Sequence, residues 1–440
     1  MCVRGLTLKA DSGTVPFGDY RLALTGTVPS CIIQFMLKFP DNFLWGAATS
    51  AYQVEGNNTN SDWWEWERRT GRESSGAACR HYELYPLDFD LAKNLNHNAH
   101  RLSIEWSRIE PQEADFSEKE LQHYRDVILA LKERAIEPVV TLHHFTNPAW
   151  LAKLGGWQNK KAVSYFLRYV EKVAEVLADK VKYWVTINEP MVYIYFSYID
   201  GSWPPQKRSF SASRRVENNL ALAHLKAYKL IHAIYKKKNL ALPLVGIAQN
   251  MQAFLPCQPT LKNRIGAYLR NQVFNHALIA RLKSWRSLDF IGLNYYTRSL
   301  VEVEKWGLRH LLVDECKKGH HPAQKNSLGW DIYPQGLYQL ILTLKRYHLP
   351  VFILENGICT DDDGLRWEYI YEHLKNIHRA VQEGADVRGY FYWSLLDNYE
   401  WDKAFKPRFG IVEVDYNDYK RTVRESGRKF AAVCKNNGLD

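Results

Sequence analysis

Cysteine is scarce and scattered in this sequence. The 440 residues include seven cysteines, an odd number, and no two of them form a C-x-x-C pair. This pattern excludes the paired spacing of structural zinc sites and the dense frameworks of small disulfide-rich secreted proteins. We therefore expect reduced thiols, a reducing compartment and a cytoplasmic location. The seven positions are Cys2, Cys31, Cys79, Cys257, Cys316, Cys359 and Cys434.

Long apolar runs and nucleotide-binding glycine motifs are also lacking. No stretch approaches the roughly 20 apolar residues that cross a bilayer, and the first residues lack the continuous apolar core of a signal peptide. No G-x-G-x-x-G or P-loop pattern follows the first predicted strand. We expect no membrane partner, no cofactor and no metal. Residues 1–35 lack clean periodicity, and we interpret them as a poorly ordered N-terminal extension without chemistry, before a catalytic domain at 36–440.

Positive charge is in excess but is not concentrated in a patch. The formal net charge is +10, yet the only basic run is "YKKKNL" at 235–240, which is typical of a solvated helix end. We therefore expect no nucleic-acid partner. Aromatic residues reach 13%, and aromatic faces are common platforms for sugar rings and flat apolar ligands. Composition alone explains them equally well as core residues.

From residue 39 onward, apolar β-rich segments alternate with amphipathic segments whose apolar residues recur at three- and four-residue spacing. Eight strands, each followed by a helix and with no Ser/Gly-rich linker, predict an α/β fold, a single (β/α)8 TIM barrel. A doubly wound open sheet is the alternative. The predicted helices include 120–135, 162–181 and 367–384. The predicted strands are 43–53, 98–106, 137–145, 183–190, 243–250, 289–297, 351–357 and 387–398.

Polar residues end most of the predicted strands. The carboxyl ends of barrel strands meet at one face, and in barrel enzymes that face holds the active site. A single polar ending is better explained as a helix cap or a satisfied core group, but seven or eight together favour a functional face. They are Gln53, Glu55, Arg101, His143, His144, Asn188, Glu189, Asn294, Tyr296, Glu355, Asn356 and Trp393, with Glu400 and Trp401 just beyond.

Two of these endings are carboxylic acids, in "TINEP" (Glu189) and "ILENG" (Glu355). Two carboxyl groups that face one cavity can divide labour, since one keeps its proton and the other stays ionised beside a cation or donors. Arg101 is the natural cation for the ionised partner, and Tyr296 could donate a hydrogen bond to Glu355. A proton donor opposite a carboxylate is the chemistry of glycosidic bond cleavage, in which Asn188 could bind the hydroxyl beside the reacting carbon.

Several separated motifs resemble those of glycoside hydrolase family 1, the β-glucosidase family, over about residues 39–431. The motifs are "FPDNFLWGAATSAYQVEG", "TINEP", "GLNYYT", "ILENG" and "YFYWSLLDNYEW". The resemblance implies a retaining exo-β-glycosidase that forms a covalent glycosyl-enzyme intermediate, with Glu355 as nucleophile and Glu189 as acid/base. It implies nucleophile support by Arg101, Asn294 and Tyr296. It also implies substrate binding by Gln53, His144, Asn188, Trp330, Trp393, Glu400, Trp401 and Phe409.

The resemblance also guides the choice of substrate. Members that take 6-phosphorylated sugars carry Ser and Lys-type residues in the loop that here holds Glu400 and Trp401. An acid there repels a phosphate dianion at short range, so we expect small neutral β-glycosides or short oligosaccharides, of glucose and of galactose or fucose as well. Two departures stand out: the passage between the fifth and sixth strands is short, and "TLHHFTNPAW" has His143 and Phe145 where many members have Tyr and Trp.

Three other functions remain as alternatives. A transglycosidase would use the same two acids and let a sugar hydroxyl, rather than water, resolve the intermediate. A non-catalytic sugar-binding protein of this fold usually loses one acid, whereas this chain keeps both. A metal hydrolase would use His143 and His144, but adjacent strand residues point to opposite faces and chelate poorly. The sequence does not indicate an oligomeric state.

Overall fold

The structure of the protein is a computed structural model that describes residues 36–307, 310, 316 and 322–440. The predicted N-terminal extension, 1–35, lies outside the described residues, so its predicted disorder stays a prediction. The described strands are β1 Leu37–Lys38, β2 Leu44–Ala48, β3 Ala99–Ser103, β4 Glu137–Thr141, β5 Tyr183–Asn188, β6 Leu244–Asn250, β7 Ala253–Pro256, β8 Phe290–Asn294, β9 Arg298–Val301, β10 Val351–Asn356, β11 Val387–Trp393, β12 Val412–Val414, β13 Arg421–Val423 and β14 Gly438–Leu439.

Eight of these strands close into a parallel barrel in the order β10-β11-β2-β3-β4-β5-β6-β8. The predicted (β/α)8 TIM barrel is confirmed, and the open doubly wound sheet is excluded. Each predicted strand has its counterpart in the barrel. The remaining strands form three pairs outside it, β1 with β14 and β12 with β13, both antiparallel, and β7 with β9 in parallel.

Helices cover the barrel, as the amphipathic segments predict. Among the described residues they are α1 Ala51–Val54, α2 Asp62–Thr70, α3 His81–Asn94, α4 Trp106–Ile109, α5 Glu118–Glu133, α6 Ala149–Lys153, α7 Ala162–Leu177, α8 Pro190–Ile194, α9 Phe210–Lys237, α10 Leu261–Arg270, α11 Ala277–Ser284, α12 Pro334–Leu344, α13 Asp363–Gln382 and α14 Glu425–Asn436. The same part of the chain contains no helix long and apolar enough to cross a membrane.

Several predicted strands are longer than the observed ones because the chain turns away at the carboxyl end of the barrel. The predicted strand 43–53 is β2 followed by α1, and 98–106 is β3 followed by the start of α4. Apolar composition does not distinguish a buried strand from the short buried helix after it. The polar residues at these ends therefore lie in loops or in first helical turns, where a rigid scaffold presents functional side chains.

Apolar side chains fill both the barrel and the layer around it. Inside the barrel, Phe290 and Phe352 pack edge to face with ring centroids 5.2 Å apart. At the amino end, Trp45 packs against Phe39 and Phe430 and donates its indole N–H to Asn437 at 2.8 Å. This packing anchors the first barrel strand, β2, to α14.

The prediction that all cysteines are reduced is wrong for one pair. Cys257 and Cys316 form a disulfide, whereas Cys79, Cys359 and Cys434 are free and buried. The two bonded residues are 59 positions apart, and they meet because β7 and β9 pair in parallel beside the barrel. Spacing along the sequence cannot reveal such a contact. Cys2 and Cys31 lie outside the described residues.

Candidate active site

A cavity of about 540 Å³ opens at the carboxyl end of the barrel. Residues at or beyond the carboxyl ends of six barrel strands line it, as expected for a barrel enzyme. These strands are β4, β5, β6, β8, β10 and β11. Predicted site residues that line it are His144, Glu189, Tyr296, Trp330, Glu355, Trp393, Glu400, Trp401 and Phe409. The other predicted residues, Gln53, Arg101, Asn188 and Asn294, are buried directly behind these and hydrogen-bond to them.

Glu189 stands at the junction of β5 and α8. Its backbone is left-handed, with φ of 45°, and Pro190 begins the helix at the position where proline is favoured. A left-handed conformation is uncommon for a residue other than glycine. The conformation turns the chain sharply at the strand end, and the Glu189 carboxyl lines the cavity.

Burial and charge together keep Glu189 protonated. Its Oε1 accepts hydrogen bonds from the amides of Asn250 at 3.0 Å and Asn294 at 2.8 Å. Burial first, and then the negative charge of Glu355, raise the pKa of Glu189 to about 8, against the lowering effect of the two amides. This carboxyl therefore carries a proton at neutral pH and can donate it.

Glu355 has the opposite surroundings. It lies near the end of β10, where its Oε1 pairs with the Arg101 guanidinium and its Oε2 accepts a hydrogen bond from the Tyr296 hydroxyl. Arg101 is 1% exposed and is fixed by a further hydrogen bond from Nε to Thr141 Oγ1 at 3.1 Å. A cation and a hydroxyl donor both favour the ionised form of a carboxyl group. The two predicted acids thus share one cavity in contrasting surroundings.

Asn188 links the two acids. Its Oδ1 accepts from Arg101 Nη2 at 2.7 Å and from Asn294 Nδ2 at 3.1 Å, and its amide donates to His144 Nε2 at 3.3 Å. The Asn294 amide donates to Glu189 and Asn188, on the side of the other acid. Asn294 is also the register partner of Glu355 in the β8–β10 pair, and its role as a support of Glu355 stays a prediction.

One end of the cavity combines aromatic faces with a hydrogen-bonded acid. The ring of His144 lies nearly parallel to those of Trp393 and Trp401, with centroids 5.9 and 6.0 Å away. Gln53 is fully buried, and its amide donates to Glu400 Oε2 at 3.2 Å. Burial, and next the charge of Glu355, raise the pKa of Glu400 to about 8. This end offers flat faces and neutral hydrogen-bonding groups, which suit a sugar ring.

The other end is an aromatic mouth. Trp330 is 36% exposed and lies 5.9 Å from Tyr296 and 6.3 Å from Phe409, measured between ring centroids. Phe409 is buried and also contacts Tyr296. Trp330 therefore stands between solvent and the cavity, and its contact with a leaving group stays a prediction.

His143 and His144 point in opposite directions, as the sequence predicts. His144 lines the cavity, whereas His143 packs edge-on against Trp157 and bonds Asn147 Oδ1 at 3.1 Å. The two rings cannot hold one metal ion from these positions. The geometry excludes the chelate that the metal-hydrolase alternative requires.

The structure also contains site residues that sequence reasoning missed. Asn250 ends β6 and donates to Glu189; it closes an apolar strand as the other polar endings do, so the same signal could have found it. Val192, Phe196 and Trp203 line the cavity from α8 and the segment after it. These positions lie beyond the strand ends, and no pattern in the sequence distinguishes them from core residues.

A protonated carboxyl and a second carboxyl paired with a buried arginine, at the carboxyl end of an eight-stranded parallel barrel, define a barrel enzyme equipped for acid and base catalysis. Comparison with known proteins specifies the class further. The sequence model of Glycosyl hydrolase family 1 matches residues 36–285 and 277–439. The two stretches meet in the passage between β6 and β8, which the sequence analysis finds short.

Relatives and solved structures agree with this match. The chain is 32% identical to 1,4-beta-D-glucan glucohydrolase of Thermotoga neapolitana, over 92% of this chain and all of the relative. A β-glycosidase from Pyrococcus horikoshii is 41% identical, with a TM-score of 0.86 and coverage of 92% of this chain and 97% of that one. A β-glucosidase from Thermotoga maritima in complex with glucoimidazole is 31% identical, with a TM-score of 0.85 and coverage of 92% and 100%.

The chain belongs to glycosyl hydrolase family 1. It is a glycoside hydrolase of the β-glycosidase type, which confirms the class of enzyme and the fold that the sequence resemblance implies. Solved structures of the Thermotoga maritima β-glucosidase include complexes with glucoimidazole and with deoxynojirimycin.

Proposed function

We propose that the protein is a retaining, exo-acting β-glycosidase that removes terminal β-D-glucosyl residues, and galactosyl or fucosyl residues as well, by double displacement. The observation that carries the proposal is the pairing of Glu189 and Glu355 in one cavity, the first held protonated and the second paired with Arg101 and Tyr296. Relatives of this chain include β-glucosidases and β-galactosidases.

In the first step, the Glu355 carboxylate attacks the anomeric carbon while Glu189 gives its proton to the leaving oxygen. The covalent ester that forms carries no negative charge at Glu355. The negative charge of Glu355 is one cause of the raised pKa of Glu189 in the free enzyme. Because the ester removes that charge, the pKa of Glu189 falls when the ester forms. Glu189 is then ionised and can take a proton from the water that hydrolyses the intermediate.

The surrounding residues position these two groups and the sugar. Arg101 and Tyr296 bind and orient the Glu355 carboxylate, and Asn294 and Asn250 orient Glu189. Asn188, fixed between Arg101 and Asn294, presents its amide near the sugar hydroxyl next to the reacting carbon. We assign glycone contacts to Gln53, His144, Asn188, Trp393, Glu400, Trp401 and Phe409, and leaving-group contact to Trp330.

Charge pairing around the cavity favours neutral substrates. The lining cations are Arg298 and Lys325, which both pair with Asp331, and Lys403, which pairs with Asp402. No cation among the described lining residues is left without a carboxylate partner. A 6-phosphorylated sugar would bring a dianion without a partner into the cavity, which is costly. This argument does not depend on the charge of Glu400, whose pKa is raised to about 8.

A panel of nitrophenyl β-glycosides tests the proposal, with the product anomer followed by NMR from the first seconds of reaction. We expect turnover of the glucoside and a β-configured first product. A first product of α configuration would show an inverting enzyme, and sugar–sugar products in place of free sugar would show a transglycosidase. Binding of glucosides without any turnover would show a sugar-binding protein.

Two isosteric variants assign the acids. Glu355→Gln should lower kcat by several orders of magnitude for every substrate. Glu189→Gln should spare the first step with dinitrophenyl leaving groups, which need little proton assistance, but not with poor leaving groups. Glu425→Gln, an exposed acid at the start of α14, is the matched control and should retain full activity. Full activity of Glu355→Gln would refute the assignment.

A cytoplasmic location stays a prediction. The Cys257–Cys316 disulfide removes one of its supports, because the scattered cysteines no longer indicate only reduced thiols. Immunodetection in separated cell fractions tests it, and recovery in the medium or envelope fraction would contradict it.

A further inference from the structure

The loop after β4 brings two residues to the cavity. His144 and Phe145, both in the segment 142–148 that we call the β4 loop, line the cavity beside Trp401. Phe145 has a left-handed backbone, with φ of 70°, and such a conformation in a bulky residue persists only where the surroundings fix it. Nδ1 of His144 has no hydrogen-bond partner among the described residues. The direction of its ring therefore depends on the Asn188 amide at Nε2 and on what holds the loop.

Asp62, the first residue of α2, holds the β4 loop from behind. Its carboxyl accepts the backbone N–H of Asn147 at Oδ1, 2.9 Å away, and the side-chain amide of Asn147 at Oδ2, 2.8 Å away. Its own backbone N–H donates to Asn147 O at 2.8 Å. Both residues are buried, and neither lines the cavity. Three hydrogen bonds thus join one residue of the helix to one residue of the loop.

Asn147 passes this anchor on to the rest of the loop. Its side-chain amide also donates to the Tyr193 hydroxyl at 3.2 Å and to Phe145 O at 3.3 Å. The neighbouring residue, Thr146, has a second anchor, because its hydroxyl donates to Glu105 Oε2 at 2.9 Å. The contacts of Asp62 therefore reach the left-handed residue through a single side chain.

The start of α2 also supports the aromatic residues that face the loop. Trp63, next to Asp62 in the chain, packs against Trp401 and Trp203 with ring centroids 4.6 and 5.2 Å away. The ring of Phe145 lies 5.2 Å from each of the same two rings. One short stretch of the chain thus fixes both the backbone of the loop and the rings against which it packs.

We propose that Asp62 is a positioning residue: by binding both N–H groups of Asn147 it holds the β4 loop so that His144 meets the glycone in a productive orientation. The proposal rests on the proposed function, because it takes this end of the cavity as the glycone side. Asp62 does not line the cavity. It acts through Asn147.

The carboxylate is the form of Asp62 that these bonds favour. Burial raises the pKa of Asp62 to about 7, whereas the bonds from Asn147 lower it. Asp62→Asn keeps the size of the side chain but replaces one acceptor oxygen by a donor. Whichever way the new amide turns, a donor then faces one of the two Asn147 donors. A flip of the Asn147 amide would relieve this conflict only by giving up its bond to Tyr193.

Hydrogen–deuterium exchange tests the anchor without any activity measurement. Full-length wild type, Asp62→Asn and the swapped variant Asp62→Asn/Asn147→Asp are compared on peptides that cover 142–149. We expect these amides to exchange at least about tenfold faster in Asp62→Asn. In the swapped variant the two side chains exchange donor and acceptor roles, so the rates should return to within about threefold of the wild type. Unchanged exchange in Asp62→Asn, or no recovery in the swapped variant, would overturn the proposal.

Kinetics on nitrophenyl and dinitrophenyl β-glucosides test the link to the glycone, at pH 8 so that most of the Asp62 carboxyl is ionised. We expect Asp62→Asn to lower kcat/KM about ten- to thirtyfold, by the same factor for both leaving groups because the loop meets only the glycone. The swapped variant should recover to within about threefold of the wild type. In a His144→Ala background, adding Asp62→Asn should cost less than about twofold more, because the group that Asp62 positions is gone.

Asp289→Asn is the matched control. Asp289 directly precedes β8, at the amino end of the barrel, and its carboxyl likewise accepts a backbone N–H, from Val245 at 2.9 Å, and the Tyr228 hydroxyl at 2.8 Å. This variant should lose stability but keep kcat/KM within about twofold of the wild type. Wild-type kcat/KM in folded Asp62→Asn, or a full additional loss in the His144→Ala background, would overturn the proposal with the proposed function intact. Absence of turnover in the wild type would instead refute the proposed function.

Discussion

Arg101 donates a hydrogen bond from Nη2 to Oδ1 of Asn188 at 2.7 Å. Through its other terminal nitrogen the same guanidinium pairs with Glu355, and Asn188 directly precedes Glu189 in the chain. One buried cation therefore contacts both Glu355 and the residue that precedes Glu189. The planar guanidinium, with its two terminal nitrogens, can make both contacts at once because the two acceptors lie in different directions.

Replacement of Arg101 by lysine should separate charge from geometry. Lysine keeps the positive charge but cannot hold Glu355 and Asn188 at fixed angles, so we expect kcat to fall about a hundredfold or more. Steady-state kinetics with a nitrophenyl β-glucoside measures this. The matched control is Arg125→Lys, whose guanidinium makes a two-bonded pair with Asp179 at the surface. Wild-type kcat in Arg101→Lys would mean that charge alone suffices.

Loss of the Asn250 amide should change the pH profile. This amide and that of Asn294 donate to Glu189 and lower its pKa, against burial and the charge of Glu355. In Asn250→Ala the pKa of Glu189 therefore rises above its present value of about 8. The alkaline limb of the pH profile of kcat/KM should move to higher pH, because Glu189 stays protonated up to a higher pH.

The control for that change is Asn376→Ala, which removes an amide on α13 that bonds only to its own helix among the described residues. Its alkaline limb should coincide with that of the wild type. A shift of the limb to lower pH in Asn250→Ala would contradict the hydrogen-bonding role assigned to this amide.

The barrel and its two acids could be predicted from sequence because each signal is local. An apolar run that ends in a polar residue identifies a strand and its functional end together, as in "TINEP" and "ILENG". The chain order of eight such strands then places their ends on one face. For these reasons Glu189, Glu355 and Arg101 could be found without coordinates.

Contacts between distant segments could not be predicted in this way. The Cys257–Cys316 bond depends on the pairing of two short strands outside the barrel, and the amide of Asn294 could have turned toward either acid. The residues Val192 and Phe196 line the cavity only because of how α8 and the π-helical segment after it, Tyr195–Asp200, pack. Such outcomes are decided by three-dimensional packing, which has no period in the sequence.

Replacement of Glu400 by glutamine should make stability less dependent on pH. The pKa of this acid is raised from 4.5 to about 8 in the folded protein, so between these values the native state binds more protons than the unfolded state. Stability therefore falls as pH rises through this window. Glutamine does not titrate, so the free energy of unfolding of Glu400→Gln should gain on that of the wild type between pH 5 and pH 8.

Urea unfolding at both pH values measures this gain, with Glu425→Gln as the control for loss of an exposed carboxyl. We expect the control and the wild type to run in parallel. The quantity to compare is the free energy of unfolding of Glu400→Gln minus that of the wild type. A smaller difference at pH 8 than at pH 5 would contradict the direction of the pKa shift.

His97 offers a test far from the cavity. Its ring is 2% exposed against Phe430, and neither ring nitrogen has a hydrogen-bond partner among the described residues. A buried polar group without a partner costs stability. We expect His97→Leu to stabilise the protein by about 1 kcal/mol, measured as the free energy of unfolding in urea at pH 7.

The pH dependence gives this prediction a second observable. Burial lowers the pKa of His97 from 6.5 to about 3, so its native state stays neutral while the unfolded chain takes up a proton below pH 6.5. Wild-type stability is therefore lost as pH falls through that window, and the advantage of His97→Leu should grow from pH 7 to pH 5.

His224 is the matched control: it is equally buried, but both its nitrogens are bonded, to Thr186 and Ser287 at 2.6 Å each. His224→Leu should destabilise at pH 7 because it leaves those two partners unsatisfied. Destabilisation by both substitutions would mean that the His97 ring has a partner, such as an internal water.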